Sequence, residues 1–374
     1  MPQIQYIGKL IMSIIFYLFV AFVVLSVLVF FHELGHFSAA RVFGVKVERF
    51  SIGFGKIVSR KECCGTEWAF SAIPLGGYVK MKGQDDTNPT LKSNDKDSYN
   101  TKKPWQRIII LLAGPLANLI LAFFVYLTIA ISGAPAVVAT DYLPPVINKV
   151  IKNSPAQKAN LKQGDIIIKI NNTPIKYWYQ IGKIINGSNS DIKLTIKRGG
   201  QLKNITLRTN TIDGLNEFQE KIKRRVIGIA PAISKNMKID FTLPDALFYA
   251  WNETKKAATL IAVGTKKMAT GEMDSKNIGG ALTIFDVMMK FAQKGIIYLL
   301  FVMALISVNL GVLNLLPIPA LDGGHIVFNL YELITRREPS ETVMYYLTLA
   351  GWAFLLALMF FGIYNDVNRI WGVN

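Results

Sequence analysis

Four stretches of this chain, residues 10–31, 108–131, 296–316 and 343–363, run without a single charged side chain. Each matches the roughly 20 apolar residues that an α-helix needs to cross a bilayer, and the first is too long for the apolar core of a cleavable signal. The chain therefore reads as a polytopic α-helical membrane protein with four transmembrane helices. A hydrophobic fraction of 51% and a mean hydropathy of +0.32 exceed what an ordinary soluble domain carries.

The formal charge of +17 would suit a nucleic-acid partner, but no zinc-finger, RNA-recognition or basic-helix pattern accompanies the lysines. Anionic membrane lipids are the expected partner, and no nucleic acid is expected. Between the first two apolar runs the chain is crowded with cations, among them Arg41, Lys46, Arg49, Lys56, Arg60, Lys61, Lys80 and Lys82. The positive-inside rule places that loop on the cytoplasmic side of the membrane. Cys63 and Cys64 are the two cysteines of the chain, so there is no disulfide framework and no thiolate zinc site to expect.

The first apolar run ends on Phe30-Phe31-His32-Glu33-Leu34-Gly35-His36-Phe37. Histidines four apart share one helical face and can hold one metal ion, while the glutamate between them can handle the proton of an attacking water. With three histidines in 374 residues, chance placement in this pattern is improbable. The third histidine, His325, follows Asp322-Gly323-Gly324 and is expected to support the site rather than to bind metal.

A catalytic zinc needs three protein ligands, and H-E-x-x-H supplies two. The continuation Phe37-Ser38-Ala39-Ala40-Arg41-Val42 lacks the further histidine of secreted zinc peptidases. Glu48 and Glu62 are possible third ligands, but Asp322 is better placed. The first and third spans cross in the same direction, so their ends meet at one face, and Asp322 follows the third within Asn314-Leu315-Leu316-Pro317-Ile318-Pro319-Ala320-Leu321-Asp322-Gly323-Gly324. Its prolines break the helix, and irregular backbone at membrane depth is tolerated where it lines a cavity. Asn314 there could either bond within a bent helix or orient a substrate carbonyl.

Two soluble stretches interrupt the spans. Residues 45–52, 66–72 and 78–81 have strand-like composition and predict hairpins beside the site, either as a small cytoplasmic sheet or as an edge offered to substrate. Residues 85–103 are polar and predict a flexible segment. Further on, strands at 146–150, 166–170, 192–197 and 205–208, a short helix opened by Ser154-Pro155 and another over 177–185 resemble a PDZ domain. A helix over 244–268 mixes aromatic, apolar and Lys residues, as a membrane-surface helix does.

Together, His32-Glu33-Leu34-Gly35-His36, Gly114-Pro115-Leu116-Ala117-Asn118, the PDZ-like module and the run 314–324 resemble the site-2 protease family of intramembrane zinc metalloproteases, in particular its bacterial RseP-type (regulator of sigma-E protease) branch. The resemblance implies Zn2+ held by His32, His36 and Asp322, Glu33 as general base and Asn314 as a substrate-binding residue. It also implies hydrolysis of transmembrane segments of single-span proteins such as anti-sigma factors or signal-peptide remnants. Two departures stand out: a single PDZ-like module where some members carry two, and Ala281 after Gly279-Gly280 where relatives commonly have Pro.

The expected organisation runs from a first transmembrane helix with the H-E-x-x-H motif (1–37) to a cytoplasmic or membrane-associated β-hairpin loop (38–107) and a second helix (108–132). A PDZ-like α+β domain on the outer, periplasmic side (144–209) and a linker with membrane-surface helices (210–290) follow. A third helix with the N-x-x-P-x-P-x-L-D-G-G motif (296–325) and a fourth helix (343–365) complete it, with the active site near the cytoplasmic side. A membrane-anchored PDZ adaptor with an inactive metal site is the alternative, and the intact Glu33 argues against it.

Overall fold

The computed structural model describes residues 2–84, 93–188, 191–218, 220–234, 237–273 and 279–372. Part of the stretch expected to be flexible, residues 85–92, lies outside the described residues. The chain opens with helix α1 (Pro2–Val42), followed by strands β1 (Val47–Cys63) and β2 (Thr66–Met81) and by helix α2 (Pro104–Ile131). Proline suits the first position of α2, where its missing N–H has no helical acceptor to lose. Short strands β3 (Ala134–Pro135) and β4 (Ile147–Val150), helix α3 (Pro155–Lys158), strands β5 (Ile166–Ile170) and β6 (Thr173–Pro174) and helix α4 (Trp178–Gly187) come next.

The hairpin β7 (Ile192–Arg198) and β8 (Gln201–Leu207) precedes the ribbon β9 (Asn210–Leu215) and β10 (Lys221–Val226). Strands β11 (Ile229–Pro231) and β12 (Lys238–Ile239) lead to helices α5 (Leu243–Ala269), α6 (Ala281–Lys294), α7 (Ile296–Leu313), α8 (Asp322–Thr335) and α9 (Glu341–Trp371).

The chain forms two compact units, Met1–Thr128 with Leu247–Asn374, and Ile129–Ala246. Among the described residues, four helical stretches are long and apolar enough to cross a membrane: Met12–Val42, Pro104–Ile131, Ile296–Leu313 and Glu341–Ile370. Leu28 on α1, Met288 on α6 and Val302 on α7 belong to one buried apolar cluster. Strands β1 and β2 replace the separate short strands expected from composition. The first part of β1 is paired on both sides, Phe50 standing opposite both Val79 and Trp68. Residue numbers then run oppositely from Ile57↔Ser71 to Cys63↔Thr66. Phe50 is buried and stacks on Trp68 at 4.7 Å between ring centroids, which ties the sheet to Phe37 of α1, 5.3 Å from Trp68.

The second unit is built on the four-stranded sheet β6-β5-β7-β8. Strand β7 alternates as a half-buried strand must, with Ile192, Leu194 and Ile196 inside and Lys193 and Lys197 outside. Helix α4 adds Ile181 and Ile185, one turn apart, to the same core. Ser154 caps α3 by accepting the Gln157 N–H, with Pro155 at the first turn. Arg198 grips Asp165 through two bonds of 2.6 Å each, fixing the turn that enters β5. Strand β4 pairs with β11, so the unit extends past residue 209 to a partner strand more than 70 positions downstream of β4.

Candidate metal centre

Three elements of the first unit converge on one point. Helix α1 contributes His32 and His36 from adjacent turns of one face. Helix α8 contributes Asp322 from its first turn, where a carboxylate is favoured by the helix dipole. This start was not foreseen, since residues 314–324 read as turns throughout; Gly323 N–H donates to Asn314 O at 2.7 Å and closes the loop between α7 and α8. Asn314 caps α7 at the mouth of that loop.

His32 Nε2 and His36 Nε2 lie 3.2 Å apart, and Asp322 Oδ2 lies 3.3 Å from the first and 3.5 Å from the second. Tetrahedral coordination with bonds of about 2.0–2.1 Å separates neighbouring ligand atoms by about 3.3–3.4 Å. The three atoms thus stand at the spacing that one zinc ion requires. Asp322 Oδ2 is buried and accepts no hydrogen bond among the described residues, so a cation between the three would relieve an otherwise costly burial.

The imidazoles are held from behind. His36 Nδ1 donates to the backbone carbonyl of Ile110 on α2 at 2.8 Å, which leaves the lone pair on Nε2. Asn118, also on α2, places its amide nitrogen 3.2 Å from His32 Nδ1, while its Oδ1 is buried without a partner among the described residues. Exchanging the two ends of that amide lets Oδ1 accept from His32 Nδ1–H and turns the His32 Nε2 lone pair toward the same point. Helix α2 is fixed in turn: Ser307 of α7 donates to Asn118 O at 2.7 Å, and Arg107 bonds Glu332 of α8 at 2.6 Å. A Cβ on Gly114 would fall 2.2 Å from His36 Nε2, so α2 can approach this closely only with glycine there.

Glu33 lines a cavity of about 710 Å³ that also contains both histidines, Asn314, Asp322 and His325. Residues 76–81 of β2 form another wall, and the Glu33 Cγ lies 3.5 Å from where a Cβ on Gly77 would sit. Asn314 Nδ2 is 3.2 Å from His32 Nε2, at the same cluster. His325 reaches the cavity but not the group that could hold a metal ion, which among the described residues consists of His32, His36 and Asp322. Glu48 instead pairs with Lys80 at 3.1 Å, and Glu62 stands opposite Glu67 in the hairpin. Cys63 and Cys64 are free and exposed. Motif reasoning singled out residues 114–118 but gave Asn118 no role, and it missed the Ile110 carbonyl. A polar Asn inside an apolar span was a legible signal; a backbone acceptor leaves none.

A family model for peptidase family M50 matches residues 20–358 of the chain. A Campylobacter jejuni protein provisionally named a zinc metalloprotease is 45% identical over 93% of this chain and 92% of its own length. The metalloprotease MmpA of Caulobacter vibrioides is 32% identical over 92% of this chain and 94% of its own. The regulator of sigma E protease of Haemophilus influenzae is 30% identical over 93% and 98%, respectively. With a match that covers nearly the whole sequence, the chain belongs to peptidase family M50, the site-2 proteases, and is a zinc-dependent metalloprotease.

Proposed function

We propose that the protein hydrolyses peptide bonds within the transmembrane segments of single-span membrane proteins, with His32, His36 and Asp322 holding the zinc. The observation that carries this reading is the position of the cluster. Two of its ligands lie on Met12–Val42, a stretch long and apolar enough to cross the bilayer, and a third stands 3.3 Å away at tetrahedral spacing. Zinc bound there supplies Lewis acidity toward a water and toward the scissile carbonyl. Glu33 takes the proton of the attacking water and delivers it to the leaving amine. Asn314 orients the substrate carbonyl beside His32.

A transmembrane helix keeps its backbone bonded internally, so cleavage requires an unwound, extended segment. The wall formed by residues 76–81 of β2 supplies a strand along which such a segment can lie. The H. influenzae relative is named a regulator of sigma E protease, and this supports membrane-bound anti-sigma factors as substrates and a role in regulated intramembrane proteolysis.

The Lys- and Arg-rich loop carrying β1 and β2 is assigned to the cytoplasm of a bacterial inner membrane, with the active site near that side. The second unit, read as a PDZ-like module, then lies on the outer side after an even number of spans. The native thiols Cys63 and Cys64, exposed in that loop, report on the assignment. A membrane-impermeant maleimide applied to intact cells should spare them and label a Lys162→Cys variant in the module. The opposite labelling would invert the topology.

On the outer side, the module excludes substrates that still carry a large external domain, a steric task needing no carboxylate-binding loop. The deciding experiment uses purified protein in detergent and one single-span substrate, with and without its external domain. The trimmed form should be cut within its span, cutting should stop on chelation and return with zinc. Replacing residues 144–231, which removes β4 together with its partner β11, by a short Gly-Ser linker should make the untrimmed form cleavable. No cutting of either form by the metal-loaded protein would reject the function; slower cutting of the trimmed form by the deletion variant would replace exclusion by recruitment.

A further inference from the structure

Thr348 on α9 lines the same cavity and is 7% exposed, and its Oγ1 is buried without a hydrogen-bond partner among the described residues. Helical threonines ordinarily avoid this by bonding the carbonyl one turn back. Thr128, Thr254, Thr259, Thr265 and Thr335 all do so here, each donating to the residue four positions earlier at 2.8–2.9 Å. Thr348 forgoes that bond, and an unsatisfied buried hydroxyl costs free energy unless something else claims it.

The position of α9 indicates what claims it. Gly351, on the same face as Thr348, comes so close to the segment leading into Asp322 that a Cβ there would lie 2.8 Å from Ala320 N. That approach brings Thr348 and Trp352, one turn apart, to a cavity wall shared with Ala320, Leu321 and Asp322. Rotation about χ1 exchanges the threonine hydroxyl and methyl within nearly the same volume, so the hydroxyl can turn toward an occupant without repacking α9. A peptide segment paired along one strand edge leaves alternate carbonyls pointing away from that edge. At membrane depth bulk water is not at hand for those carbonyls, and a donor on another wall of the cavity satisfies one of them.

We propose that Thr348 is a substrate-binding residue whose hydroxyl donates to a main-chain carbonyl of the unwound segment. The proposal rests on the reading of the cavity as a peptidase site. Its test measures binding rather than cleavage, so that the two can fail separately. The probe is a labelled synthetic single-span peptide of Leu and Ala with a central Gly-Ser pair, in nonionic detergent. Its Kd is measured on zinc-loaded Glu33→Gln protein and on the same protein carrying Thr348→Val or Thr348→Ser.

Valine keeps the shape and removes the donor, so binding should weaken about tenfold, the value of one hydrogen bond lost without a substitute. Serine keeps the donor and should bind within about twofold of the parent, with zinc content equal in all three proteins. Equal Kd values for Thr348→Val and its parent overturn the proposal. So does equal weakening by valine and serine, or loss of zinc from either, because the effect would then come from packing. Failure of the wild-type protein to cut any single-span substrate would reject the peptidase reading while leaving the binding result to stand or fall on its own.

Discussion

Glutamine in place of Glu33 is expected to lower turnover by about 10²–10⁴-fold while zinc content stays at the wild-type level. The amide has the volume and the hydrogen-bonding reach of the carboxylate, so the cavity wall near Gly77 is undisturbed. It has no basic oxygen for the proton of the attacking water, and the proposed ligands His32, His36 and Asp322 are untouched. Metal analysis and single-turnover cleavage on the same purified sample check both halves of the expectation. Normal turnover with normal zinc would remove Glu33 from the chemistry. Loss of zinc would mean that its carboxylate holds the metal or the fold instead.

Alanine at Asp322 is expected to weaken zinc binding by more than about 100-fold, since changes one shell further out already cost 10–100-fold. Two imidazoles on one helix remain, and a solvent molecule cannot replace the fixed carboxylate that now closes the triangle at 3.3 and 3.5 Å. Competition with a chelator of known affinity measures the loss. Glu48→Ala serves as the control: its carboxylate pairs with Lys80, and zinc affinity should not change. Full affinity in Asp322→Ala combined with loss in Glu48→Ala would relocate the third ligand.

What could be read from sequence and what could not divide along a physical line. The spans were legible because an uncharged run of sufficient length has few other destinations than a bilayer. His32, Glu33 and His36 were legible because a four-residue spacing on a helix is a distance. Strand β5 was legible as an apolar run after the Gly164-Asp165 turn, and the hairpin β7–β8 from the alternation of β7 and the Gly199-Gly200 turn, although β8 begins at Gln201 rather than at residue 205.

Helix α8 was hidden by its own first residues. Gly323 and Gly324 are poor helix formers, yet a Cβ at these positions would meet Leu316 O at 2.2 Å and Ile318 O at 2.3 Å. Tertiary crowding overrides propensity there, at the residues beside Asp322. Pairing of β4 with β11 and the two-sided pairing of Phe50 join positions distant in the chain, for which local pattern carries no signal.

The bond from His36 Nδ1 to the Ile110 carbonyl has a consequence for how the site is inherited. Its acceptor belongs to the main chain, so any residue that keeps the helix supplies it, and drift in side-chain identity at position 110 leaves the imidazole where it is. What cannot drift is angular phase. One residue gained or lost between Arg107 and Ile110 turns Ile110 and Asn118 together by about 100° away from the Arg107–Glu332 anchor, and one between Ile110 and Asn118 turns the contacts to His36 and His32 apart by the same angle. Spelling is free at this position and counting is not.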